Sequence, residues 1–87
     1  MKKTYVEMIV EALRNIGGQG HYSVIYEEYR RVFVKYYGCD PEVRNKAWKA
    51  SVRGVIERHS SDSKCYEGGR DLFVHIGDDM SGMWGLR

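Results

Sequence analysis

A first amphipathic helix is predicted over residues 4–16, because apolar residues recur there every three or four positions. The residues that share this face are Tyr5, Ile9, Ala12, Leu13 and Ile16. Gly17 and Gly18 follow at once, and glycine adopts the left-handed conformation that often closes a helix. We therefore expect the chain to turn at this glycine pair.

A second helix is predicted from Ser23, a favourable N-cap residue, to about residue 37, where Gly38 closes it. Its inner face holds apolar residues at helical spacing: Ile25, Tyr29, Val32 and Tyr36. The short stretch 20–22 before this helix is expected to form an extended bridge with one or two strand residues. Most of the tyrosines in the second helix are therefore expected to belong to the core.

A third helix is predicted to begin at Pro41, where a missing N–H costs nothing, with Asp40 as the N-cap. It is expected to run to about residue 59, either unbroken or with a break near Asn45. Its buried stripe is formed by Trp48, Val52, Val55 and Ile56.

Two strands complete the pattern. Residues 60–69 are polar and end in glycine, which indicates a loop, and residues 71–76 and 83–87 form two strands joined by a turn at 77–82. The sequence thus predicts one α+β domain, residues 1–87, with three helices followed by a C-terminal β-hairpin. That element order is typical of a winged helix-turn-helix, with the hairpin as the wing.

Positive charge is concentrated in the middle of the chain. The 87 residues carry a formal net charge of +2, which is too small to indicate a partner. Between residues 30 and 58, however, eight basic residues stand against three acidic ones, a local balance of +5. A basic segment on a nearly neutral domain is typical of a surface that binds a polyanion such as double-stranded DNA.

The predicted third helix carries the candidate DNA-binding residues. Lys46, Lys49 and Arg53 fall at i, i+3 and i+7, opposite the buried stripe. Arg53 offers the forked donors that recognise guanine edges, while Arg44 and Asn45 lie near the helix start, which usually reaches deepest into the major groove. The flanking candidates are Ser51, Arg58 and Lys64. The alternatives are an ordinary solvated helix face and, around Lys64, a serine-rich turn.

Other chemistry finds little support in the sequence. The cysteines and histidines show none of the CxxC or HxxxH pairs that are usual in zinc sites, and two cysteines do not make a disulfide framework. Motifs for phosphate loops, zinc proteases and serine hydrolases are absent. No apolar run is long enough to span a membrane. We therefore expect a cytoplasmic protein without metal or cofactor that is not an enzyme by itself.

Several segments together resemble a known group of DNA-binding modules. They contain Gly17-Gly18, Ile25-Tyr26, Trp48, Val52-Arg53 and Trp84-Gly85-Leu86-Arg87. This pattern resembles the winged-helix modules attached to restriction and modification-dependent endonucleases, of the Mrr N-terminal and HARE-HTH types. The resemblance implies that the third helix enters the major groove and that the wing contacts the DNA backbone or minor groove. It also implies a nuclease domain or partner protein elsewhere. Some relatives are thought to read modified bases. Asp78-Asp79 departs from this pattern, because a wing that contacts DNA is more usually basic.

A protein-interaction or dimerisation module is the alternative function. The acidic wing and the aromatic-rich second helix motivate it, with Tyr22, Tyr26 and Tyr37 as an exposed docking surface.

Overall fold

The computed structural model describes residues 3–78 and 80–87, and in these ranges the chain forms four helices and a three-stranded antiparallel sheet. The elements follow one another as α1 (Tyr5–Asn15), β1 (Gln19–His21), α2 (Tyr22–Tyr37), α3 (Pro41–Arg44), α4 (Trp48–Arg58), β2 (Phe73–Ile76) and β3 (Met83–Leu86). The predicted α+β class is therefore confirmed.

The first helix begins with a reciprocal capping box. Thr4 accepts a hydrogen bond from the backbone N–H of Glu7, and the Glu7 carboxylate accepts one from the backbone N–H of Thr4. Two of the N–H groups that a helix start leaves unsatisfied thus find partners. The helix ends at Asn15, just before Gly17 and Gly18, as the sequence predicts.

The N-cap of the second helix is His21 rather than Ser23, two residues earlier than predicted, and the helix begins at Tyr22. Nδ1 of His21 accepts a hydrogen bond from the backbone N–H of Ser23 at 3.1 Å. The backbone N–H of Tyr22 donates to the carbonyl of Gly82 at 3.0 Å, so the helix start is tied to the hairpin. An imidazole nitrogen is a less common cap than a hydroxyl, which explains why composition pointed to the serine. The helix ends at Tyr37, as predicted.

The predicted single third helix is wrong, and the alternative of a break near Asn45 is correct. Asn45 adopts an extended conformation (φ −155°, ψ 108°) between α3 and α4. Its Oδ1 accepts a hydrogen bond from the backbone N–H of Ala47 at 3.0 Å, and its Nδ2 donates to Oγ of Ser51 at 2.9 Å. The side chain of Asn45 therefore builds the turn into α4. Asp40 and Pro41 start α3 as predicted.

The sheet joins the C-terminal hairpin to the short strand before α2. The strand order is β1-β3-β2, so β3 lies in the centre and pairs with both neighbours in antiparallel register. The two predicted hairpin strands are confirmed in slightly shorter form, and β1 adds the residues that the sequence analysis expected only as a bridge. Strand β1 therefore ties the hairpin to the start of α2.

One hydrophobic core lies between α1, α2, α4 and the sheet. Both tryptophans belong to it, as predicted: Trp48 is 4% exposed and Trp84 is 5% exposed. The other buried side chains of this core are Met8, Ile9, Ala12, Leu13, Ile25, Tyr29, Val32, Phe33, Val52, Val55, Ile56 and Phe73. Among the described residues, no helix has the length and apolar character needed to cross a membrane.

Candidate nucleic-acid interface

Four cations and no carboxylate lie between residues 44 and 53, at the junction of α3 and α4. All four side chains are exposed: Arg44, Lys46, Lys49 and Arg53. The sequence analysis placed three of these on one continuous helix face. The structure corrects this, because Lys46 lies in the turn before α4, and Lys49 and Arg53 alone remain on the helix.

These four cations differ from most other cations of the chain in having no ion pair with any carboxylate of the described residues. Ion pairs do hold Lys3, Arg30, Arg31, Lys35, Arg58 and Arg87. Arg14, Lys64 and Arg70 are also outside these pairs, but they are spread over α1 and the loop after α4. Among the described residues, the unpaired cations are therefore concentrated in the segment 44–53.

Aromatic rings of α2 support three of these cations. The Arg53 guanidinium carbon lies 5.1 Å from the centroid of the Tyr22 ring, and the Lys49 ammonium lies 5.8 Å from that of Tyr26. The Arg44 guanidinium carbon lies 5.0 Å from the Tyr37 ring. A cation over an aromatic face is attracted by the ring without being neutralised. The rings thus position these charges and leave them available to a ligand.

A groove of about 720 Å³ opens between the start of α2, the outer side of α4 and the hairpin. Tyr22 and Tyr26 form one wall and stack on each other with ring centroids 5.8 Å apart and planes 13° apart. Lys49 and Arg53 line the groove on the α4 side, together with the carboxylate of Glu57. The groove therefore brings aromatic faces, cations and a carboxylate together in one place.

Tyr22 contacts two of the three charged residues of α4 that border the groove, Arg53 and Glu57. Its Oη donates a hydrogen bond to Oε2 of Glu57 at 3.2 Å, while the Arg53 guanidinium lies over its ring. Burial, followed by the nearby charge of Glu57, raises the pKa of Tyr22 well above its usual range. Interaction with Tyr26 is the main cause that raises the pKa of Arg53. Both groups accordingly keep their protons at any physiological pH.

The other predicted DNA-binding residues are engaged locally. Asn45 and Ser51 bind each other across the turn before α4, so both side chains serve the turn. Arg58 forms an ion pair with Glu67 at 3.3 Å. The structure thus brings Arg44, Lys46, Lys49 and Arg53 together as exposed cations, whereas it places Asn45, Ser51 and Arg58 in contacts within the chain.

Lys64 lies in a loop that is built of local turns. Oγ of the fully buried Ser60 accepts a hydrogen bond from the backbone N–H of Asp62, and Oγ of Ser63 accepts one from that of Cys65. These contacts agree with the serine-rich turn that the sequence analysis held as the alternative. Lys64 itself is exposed, away from α4 in sequence and on a separate element.

The hairpin turn is acidic and exposed where it is described. Asp78 is exposed, and Met80 is 91% exposed at the tip. Asp79, the second acidic residue noted in the sequence, lies outside the described residues. Negative charge at this turn repels phosphate, so the hairpin tip is a poor surface for the DNA backbone.

The docking surface suggested for Tyr22, Tyr26 and Tyr37 is not one patch. Tyr22 and Tyr37 are the first and last residues of the 16-residue helix α2, and at 1.5 Å rise per residue they lie roughly 20 Å apart. Tyr37 instead stacks on the core residue Phe33, with ring centroids 4.5 Å apart. The tyrosines of α2 therefore support separate cations.

Histidines and cysteines do not converge on a metal site in the described part of the chain. No group of three or more His, Cys, Asp or Glu side chains there could hold a metal ion. Cys39 and Cys65 are both free thiols.

The cations of this surface are predicted by the sequence, whereas the aromatic side chains that support them were not predicted. Tyr22 and Tyr26 are spaced i, i+4 on α2, while Lys49, Arg53 and Glu57 follow at the same spacing on α4. Two such stripes face each other when neighbouring helices are antiparallel. This matched spacing is the signal that could have pointed to the groove.

The chain matches no protein-family model, no curated protein and no solved structure. The assignment of a function therefore rests on the residues and their geometry.

Proposed function

We propose that this chain is a winged helix-turn-helix domain that binds double-stranded DNA, with α4 in the major groove. The order helix, strand, helix, helix, helix, strand, strand supports this, as does a sheet in which the first strand joins the hairpin. In such a domain α4 is the recognition helix, α2 and α3 precede it, and the β2–β3 hairpin is the wing.

The observation that carries the proposal is the set of unpaired cations at Arg44, Lys46, Lys49 and Arg53. DNA binding gains free energy when cations neutralise phosphates and release condensed counterions. A cation that already has a carboxylate partner must give up that pair first, which offsets part of the gain. Four exposed cations without such a partner, spread over the end of α3, the turn after it and the first half of α4, meet this requirement.

The outer face of α4 also suits close approach to DNA. Ala50 is exposed between Lys49 and Arg53, and Gly54 follows one turn later. Small side chains at these positions let the helix backbone come near the base edges, and an alanine methyl can contact the methyl group of thymine. We assign Lys46 and Lys49 to phosphates and Arg53 to a guanine edge.

The distribution of acidic groups gives the proposed complex an orientation. Glu27 of α2 and Glu57 of α4 line the groove beside the hairpin, and Asp78 lies at the hairpin turn. Arg44 lies at the opposite end of α2, over Tyr37. Phosphates accordingly run past the α3–α4 junction, and the acidic turn stays away from the backbone.

The resemblance to modules of restriction and modification-dependent endonucleases extends the proposal. Such a domain delivers a nuclease domain or partner protein to DNA, and the reading of a modified base is one form that its specificity can take. Comparing methylated with unmethylated duplexes of one sequence tests this extension separately from DNA binding itself.

The proposal is tested by binding of a random duplex pool at 0.1 M salt, followed by fluorescence anisotropy on the sequences that are enriched. Lys49→Ala is expected to weaken binding to every duplex by about three- to tenfold, because one phosphate contact is lost. Arg31→Ala is the matched control, since Arg31 is exposed but already paired with Glu28 at 3.0 Å. Equal effects of the two substitutions, or no duplex binding at all, would contradict the proposal.

The role assigned to Arg53 has its own control. Arg53→Lys keeps the charge but removes the fork that fits a guanine edge. We expect it to retain affinity for random duplex and to lose preference for the enriched sequence, whereas Arg53→Ala loses both. A preference that survives Arg53→Lys would remove Arg53 from base recognition.

A further inference from the structure

Arg53 and Glu57 have the spacing of an ion pair within a helix but do not form one. They lie at i and i+4 on α4, where side chains are neighbours on the helix surface. Both belong to the described part of the chain, and no ion pair joins them there, although pairs at comparable spacing form elsewhere, as between Arg31 and Glu28. The order of the two residues accounts for part of this difference, because an acid that precedes its base in a helix pairs better than the reverse order. The contacts of the two side chains account for the rest.

Tyr22 contacts the Glu57 carboxylate and the Arg53 guanidinium at the same time. Its hydroxyl donates to Oε2 of Glu57 at 3.2 Å, and its ring lies under the Arg53 guanidinium at 5.1 Å. The ring is half-buried and fixed on both sides, because it stacks on Tyr26 and lies 6.3 Å from the ring of Trp84. The hydroxyl thus gives the carboxylate a partner other than the arginine.

We infer that Tyr22 is a positioning residue that separates Arg53 from Glu57 and so keeps the Arg53 guanidinium available for DNA. The effect on DNA binding rests on the proposed function, but the separation of the two charges can be measured without DNA. If the hydroxyl is removed, the carboxylate of Glu57 loses its hydrogen bond and is free to pair with Arg53, which is one helical turn away on α4. The resulting pair partly neutralises Arg53.

The substitution that tests this is Tyr22→Phe, which keeps the ring and removes the hydroxyl. We expect affinity for the enriched duplex to fall about two- to fivefold, which is the range of one exposed charge pair. The same substitution in a Glu57→Gln background is expected to change affinity little, because no carboxylate remains to capture Arg53. Tyr66→Phe is the matched control and should have no effect on affinity, because the Tyr66 hydroxyl donates to the carbonyl of Gly69 within the loop after α4.

A second measurement is independent of DNA. Thermal unfolding of Arg53→Gln, Glu57→Gln and the double variant gives the coupling between the two side chains. We expect a small coupling when Tyr22 is present, and a larger favourable coupling that weakens with added salt in the Tyr22→Phe background. The pair Arg31 and Glu28, which is formed in the structure, shows in the same assay the size of coupling to expect.

The outcomes separate the two claims. If the unsubstituted domain binds no duplex, the proposed function fails, and the unfolding cycle still decides whether Tyr22 separates the charges. If duplex binding is present but Tyr22→Phe weakens it equally in the Glu57→Gln background, the hydroxyl contacts DNA directly and the inference is overturned. An Arg53–Glu57 coupling that is no larger in the Tyr22→Phe background than when Tyr22 is present overturns it as well.

Discussion

Tyr36 donates a hydrogen bond from Oη to Oε1 of Glu11 at 2.6 Å and thereby joins α2 to α1 through a charged group. Lys3 and Lys35 each place an ammonium 3.2 Å from the same carboxylate. The hydrogen bond from Tyr36, together with these two cations, lowers the pKa of Glu11 to about 2. This cluster thus links α1 to α2 through polar contacts, in addition to their apolar packing in the core.

The depressed pKa of Glu11 predicts an acid-sensitive contribution to stability. The carboxylate is charged in the folded state down to about pH 2, whereas its ordinary pKa is 4.5. Its contribution is therefore complete above about pH 4.5 and is lost as the pH falls from there toward 2.

Glu11→Gln should accordingly lower the free energy of unfolding at pH 7 by about 1 to 2 kcal/mol, since hydrogen bonds to a charged group are lost. Thermal unfolding between pH 7 and pH 2.5 checks this, and the difference between the unsubstituted chain and the variant should shrink as the pH falls. A difference that is the same at both ends of this range would show that the charge of Glu11 does not matter.

Gly82→Ala should destabilise the fold at the junction of the hairpin with α2. Gly82 has φ +67°, and a Cβ there would lie 2.8 Å from Nε2 of His21, the N-cap of α2. The backbone conformation alone costs about 1 to 2 kcal/mol for an alanine, and the contact displaces the cap. Gly69→Ala is the control, because its Cβ would meet nothing within 4 Å. Thermal unfolding should show a clear loss for the first variant and little change for the second.

Gly54→Ala should have the opposite effect on stability. Gly54 lies within α4, and an added Cβ would come 3.1 Å from Nη1 of Arg58, the mobile end of a long side chain. Alanine in place of glycine inside a helix gains about 0.5 to 1 kcal/mol. The midpoint of thermal unfolding should rise by roughly 2 to 6 °C for a domain of this size. An unchanged or lower midpoint would mean that Arg58 cannot move aside.

The sequence was sufficient for elements whose boundaries are set by local chemistry. Asp40 and Pro41 start α3, and Tyr37 ends α2, as local capping rules predict. His21 escaped prediction because its cap depends on an imidazole whose position is fixed by the hairpin. The exact extent of the break at Asn45 also needed the structure, since Asn45 binds both Ala47 and Ser51 to build that turn.

The sequence was enough to predict which cations belong to the candidate site, but not which side chains surround them. Arg44, Lys46, Lys49 and Arg53 stand out in the sequence as four cations in a segment, residues 44–53, that contains no carboxylate. Whether a cation has a carboxylate partner depends on residues distant in the chain, and Arg58 is the example, because it pairs with Glu67 across a loop. The contact of Tyr22 with residues 31 and 35 positions later depends on the packing of α2 against α4 in the same way.

The central claim, that the unpaired cations at the α3–α4 junction and on α4 bind DNA, with Lys46 and Lys49 on phosphates, is tested most directly by the salt dependence of duplex binding. The logarithm of the binding constant should fall linearly with the logarithm of salt concentration, by about 0.9 per phosphate contacted. Lys49→Ala should reduce the magnitude of that slope by about 1, and Arg31→Ala should leave it unchanged. A slope that is the same for all three proteins, or a duplex affinity too weak to measure at low salt, would contradict the account.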